Sequence, residues 1–104
     1  MSAISFHTIK TLLKIWALAV VVAGCATTAP VQEMSNARQT IASALEVKAE
    51  IYASEHLEAA EKLMEQATEA LESGNYTQAK EFAVSAQQYA VKARQQAISR
   101  QNNP

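Results

Sequence analysis

Few residues of this 104-residue chain could do chemistry, and the first is Cys25, its single thiol. One thiol cannot close a disulfide within the chain, and with no other ligand near it, it cannot hold a metal. What remains is its nucleophilicity, and its position decides how that is used. Beyond residue 24 the chain has one histidine, His56, and no Asp to orient it, so a Ser-His-Asp arrangement cannot be assembled. Glu58 with Glu61, or Glu61 with Glu65, could be drawn as a carboxylate pair. Carboxylates three or four residues apart are routine on the exposed face of a helix. There is no HExxH and no Gly-rich phosphate loop. These patterns predict no catalytic residue, no metal site and no cofactor, hence a protein that is not an enzyme.

Cys25 ends a segment with a different logic. Residues 1 to 14 carry Lys10 and Lys14 and no acid, and Ile15 to Ala23 are all apolar. A basic start, a short apolar run and small residues at its end make a secretory signal. A membrane-crossing helix needs about 20 apolar residues, and here Gly24, Thr27 and Thr28 dilute the run too early. The tetrapeptide Val22-Ala23-Gly24-Cys25 resembles the lipobox of bacterial lipoproteins. That resemblance implies cleavage between Gly24 and Cys25, a diacylglyceryl group on the thiol and an acyl chain on the new amine. It also implies a location. The protein would be lipid-anchored in the cell envelope and, with Ala26 rather than Asp after the cysteine, on the periplasmic face of the outer membrane in a cell with two membranes.

Without residues 1 to 24 the chain has 80 residues, with seven basic side chains against ten acids, a net charge of −3. That argues against nucleic acid as a partner. Seventeen of the 80 are alanine, and Gly74 is the one glycine, a composition that reads as all helix. Alanine adds propensity but little apolar area, and a domain this small is close to the limit for a self-sufficient core. Completion by oligomerisation or by a partner is the usual remedy.

The predicted architecture is all-α: an antiparallel helical hairpin extended to a small three-helix bundle. Residues 25–30 form a lipidated tether, 31–99 the helical domain and 100–104 a polar tail. The first helix runs from Val31 to about Tyr52, with Met34, Ala37, Ile41, Leu45 and Tyr52 inward and Val47 and Ile51 on a flank. The second starts at Ser54 as N-cap and carries Leu57, Ala60, Met64, Ala67 and Leu71, a heptad seam. Gly74, Asn75 and Tyr76 form the hairpin turn, with Gly74 ending one helix and Asn75 capping the next in an approximate box with Gln78. The third helix places Tyr76, Ala79, Ala83, Ala86, Ala90, Ala93 and Ala97 on its seam. Phe82 and Tyr89 form one ridge beside it, and Val84, Val91 and Ile98 another. Glu55 and Glu58 are expected beside Lys92 and Arg94 across the hairpin.

The stretch Gly74-Asn75-Tyr76-Thr77-Gln78-Ala79, with Ala83 and Ala86 beyond it, resembles the turn and second helix of one tetratricopeptide unit. One unit cannot make a peptide-binding array, since solenoids need about three. The region from the lipobox through Tyr52-Ala53-Ser54-Glu55-His56-Leu57 to this hairpin resembles a family of small helical bacterial lipoproteins of unknown function, some of whose relatives precede an OmpA-like domain. The function this implies is a non-catalytic structural or protein-interaction module, held to membrane lipid and presenting a surface to an envelope protein. Phe82, Tyr89 and Val91 are the expected surface. The alternative is a self-associating coiled coil similar to the major murein lipoprotein. Covalent wall linkage is not expected, because the chain ends Asn103-Pro104 rather than on a basic residue.

Overall fold

A computed structural model describes residues 29–103; Cys25, Gly24 and the signal segment lie outside the described residues. Four helices follow one another: α1, Val31–Glu46; α2, Ala49–Tyr52; α3, Ser54–Glu72; and α4, Tyr76–Asn102. There is no strand among the described residues. The all-α reading holds, and three long helices make the bundle.

The hairpin of α3 and α4 closes as its turn chemistry requires. Gly74 has φ +77°, a left-handed conformation that costs glycine nothing. From there the Gly74 N–H donates to Leu71 O at 3.0 Å and the Asn75 N–H to Ala70 O at 2.8 Å. This pair of bonds is a Schellman ending, which satisfies carbonyls that the helix leaves unpaired. Asn75 stands at the N-cap position before α4, although its side chain does not cap the backbone. Its Nδ2 donates instead to Gln78 Oε1 at 2.9 Å.

Alanine carries the core. Ala79, Ala83, Ala86, Ala90, Ala93 and Ala97 of α4 are all fully buried. In α3 the buried positions are Leu57, Ala60, Met64, Ala67 and Ala70. Near the hairpin turn Met64 and Ala67 cluster with Ala83, Ala86 and with Met34 and Ala37 of α1. At the other end Leu57 clusters with Ala93, Ala97 and with Ala44, Ala49 and Ala53. So α3 runs antiparallel to α4, while α1 runs parallel to it. With no side chain beyond a methyl group on its seam, α4 can approach both neighbours closely. Tyr76, placed on that seam by its spacing, is exposed.

The first helix is shorter than its apolar spacing suggests. It ends at Glu46, and Lys48 takes φ 60° and ψ 42°. Lys48 occupies the left-handed position after α1 that Gly74 occupies after α3, and its N–H donates to Leu45 O at 3.0 Å. Ala44 at the end of α1 and Ala49 and Ala53 beyond the break face inward, while Leu45 and Ile51 are exposed. A side chain in this conformation costs roughly 1–2 kcal/mol. Lys48→Gly is therefore expected to raise stability by about 0.5–1 kcal/mol after the entropy of a new glycine is counted. Thermal unfolding of Lys48→Gly beside Lys48→Ala checks this, since only the glycine relieves the backbone.

Two further expectations are corrected. Ser54 does not cap α3; it is the first helical residue, behind the buried Ala53 at φ −149°. Nor does the helical domain stop at 99 before a polar tail, because α4 continues to Asn102. Arg100 Nη1 donates to Tyr52 O at 2.6 Å and Gln101 Nε2 to Val47 O at 2.5 Å. Both carbonyls lie where the break and the end of α2 interrupt the helical ladder, and the last turn of α4 supplies their donors.

Candidate interaction surface

The residues expected to share one surface do not. Phe82 is half-buried against the cluster around Met34 and Met64. Tyr89 is exposed but engaged: its ring lies 6.2 Å from that of His56 on α3, and Lys92 Nζ sits 5.1 Å over it. Both contacts lie toward the open end of the hairpin, and His56 is the one histidine among the described residues. Val91 is also exposed. At 100° per residue it points some 160–180° away from Tyr89 and Phe82. Phe82 and Tyr89 belong to the bundle, and Val91 belongs to another face.

That other face is the outer side of α4. Val84 and Val91 are exposed at 37% and 39%, and Ile98, seven residues further on, is half-buried. Gln88 and Gln95 fall between them, so the run 84, 88, 91, 95, 98 is a second heptad stripe beside the buried alanine seam. Two shallow depressions follow it, one lined by Lys80, Val84 and Gln88 and the other by Gln88, Val91 and Gln95. The seven-residue repeat of Val84, Val91 and Ile98 is visible in the sequence. What the sequence does not show is that Val84 and Val91 of this ridge stay exposed while Phe82 packs against the core.

Electrostatics differ from the expected pattern. Glu55 and Glu58 form no ion pair with Lys92 or Arg94 among the described residues; the ion pair that forms is Lys80 Nζ to Glu33 Oε1 at 3.8 Å, between α4 and α1. The acids of α3 at 55, 58, 61, 65, 69 and 72 all face solvent. Glu58, Glu61 and Glu65 thus make no buried carboxylate pair. Among the described residues no group of three or more His, Cys, Asp or Glu could hold a metal ion. No helix among them is long and apolar enough to cross a membrane.

The turn residues Gly74, Asn75 and Tyr76 mark one end of the bundle. Beside them stands the start of α1: Ala29, Pro30, Val31, Gln32 and Glu33 line one open depression with Tyr76, Thr77 and Lys80. Pro30 is buried there, whereas Val31 and Tyr76 are exposed at 64% and 45%.

No curated protein and no solved structure matches the chain. A family model described as a domain of unknown function, DUF4398, matches residues 32–103, from the first turn of α1 to the end of α4. The match spans the whole bundle and most of the chain, and the protein belongs to this uncharacterised helical family.

Proposed function

We propose that the protein is a lipid-anchored component of the bacterial cell envelope that acts without catalysis, as a structural or protein-interaction module. Cys25 is the lipidation site, exposed by cleavage after Gly24, and in a cell with two membranes the anchor lies in the outer one. The observation that carries the reading is the unequal use of α4. Its alanine seam is consumed by α1 and α3, while Val84 and Val91 of the parallel stripe remain exposed. A module with one seam closed and another presented is suited to receiving a helix. Self-association through the alanine seam would require the hairpin to open, so the coiled-coil alternative must use the outer stripe.

A photo-crosslinking residue at Val91 in intact cells tests this. A discrete adduct is expected at Val91 and none at Glu65 on the acidic face of α3, and Val84→Glu should abolish it. An adduct of twice the monomer mass identifies a second copy. Equal labelling at both positions, or none at either, removes the stripe as the interaction surface.

A further inference from the structure

We infer that the end of the bundle formed by Val31 and Tyr76 rests on the lipid surface, so that the domain stands on the membrane on its hairpin turn. The inference rests on the lipid anchor at Cys25 proposed above. From Cys25 to Pro30 is five residues, which reach no more than about 18 Å even when fully extended. The buried Pro30 fixes the end of that tether against the bundle. Of the two ends of the bundle, the tether therefore starts at the one that carries Gly74, Asn75 and Tyr76. The other end, with Ile51 and Arg100, lies a helix length away, since the 27 residues of α4 span about 40 Å.

The chemistry of the near end suits an interface. Val31 is among the most exposed large apolar residues of the domain, and Tyr76 stands across the shared depression from it. Tyrosine places an apolar ring and a polar tip at the boundary between headgroups and acyl chains, as it does in the aromatic belts of membrane proteins. Charge contributes little here. Lys80 is paired with Glu33, and Glu72 at the end of α3 is acidic. The contact is thus apolar and should be insensitive to salt and to the fraction of anionic lipid.

The sequence offers a clean probe. Its one tryptophan, Trp16, lies in the segment removed with the signal. A tryptophan introduced at Tyr76 is then the single one in the mature lipoprotein. The lipidated Tyr76→Trp, Val91→Trp and Ile51→Trp proteins are reconstituted into phosphatidylcholine vesicles with brominated acyl chains, and co-flotation with the vesicles is scored first. The Tyr76→Trp protein is expected to lose roughly half or more of its emission, because an interfacial side chain sits about 5–10 Å into the headgroup and acyl boundary. The Val91→Trp protein, labelled on the side of the bundle, and the Ile51→Trp protein, labelled at its far end, should be quenched severalfold less. Equal quenching at all three positions, or none at Tyr76, in protein that floats with the vesicles overturns the upright placement and leaves the anchor standing. Failure to float overturns the anchor and the placement together.

Discussion

Replacing Met34 with alanine is expected to destabilise the domain by about 2–5 kcal/mol, the range for truncating a fully buried methionine. Met34 is 1% exposed and is the one large side chain of the domain that is completely enclosed. Around it lie Ala37, Met64, Ala67, Ala83 and Ala86, all but one of them alanines. The alanines cannot swing into the vacated space, while Ile41, Leu63, Leu71 and Phe82, packed against the cluster, close it only in part, so the loss falls near the middle of that range. A loss of this size matters because domains of 60–100 residues shift by about 4–8 °C per kcal/mol. Leu45→Ala is the matching control. Spacing and hydrophobicity put Leu45 on the same inner face, yet it is 42% exposed, and its truncation should remove less than about 1 kcal/mol. Thermal unfolding followed by helical circular dichroism separates the two. Equal shifts would mean that α1 is rotated about its axis relative to this arrangement.

The contrast between Met34 and Leu45 shows what could be read in advance. On α4 the repeat of alanine at three and four residues left one solution, because no larger side chain competed for the seam. Gly74 was equally legible, since glycine alone adopts the left-handed position without strain. The corresponding stop after α1 was hidden because Lys48 fills it, and nothing in a lysine announces a positive φ. Apolar spacing alone puts Leu45 and Tyr52 on the inner face, whereas the buried positions are the smaller Ala44, Ala49 and Ala53 and Leu45 is exposed. The same break explains the tail. Arg100 and Gln101 look like solvated residues until the interrupted ladder provides carbonyls at Val47 and Tyr52 for them to reach. The interaction surface was half legible. The valine ridge of α4 stands in the sequence beside the Phe82 and Tyr89 ridge, but which ridge is covered depends on where α1 and α3 sit.

The largest effect expected of any single substitution is that of Cys25→Ala, which should abolish the mature, membrane-held form. On the proposed reading the acyl anchor supplies most of the membrane affinity. Among the described residues no helix can cross a bilayer. Val31 and Tyr76 contribute at most about 1.5–3 kcal/mol each even if fully buried. Each acyl methylene contributes about 0.8 kcal/mol, and one myristoyl chain already gives marginal binding; the two or three chains of a lipoprotein anchor are effectively permanent. Cys25→Ala should therefore act at two steps. In the full-length protein, modification and cleavage fail, leaving a precursor longer by the 24 residues of the signal and free of palmitate label. With residues 1 to 24 replaced by a secretory signal whose cleavage needs no cysteine, the same substitution should release a folded, helical domain into the soluble envelope fraction. Gel mobility, palmitate incorporation and fractionation read all three properties. A Cys25→Ala protein that is cleaved normally and remains on the membrane after a salt wash would sink the lipoprotein reading. It would also mean that the apolar end at Val31 and Tyr76, or a protein partner along the Val84–Ile98 stripe, holds the domain there unaided.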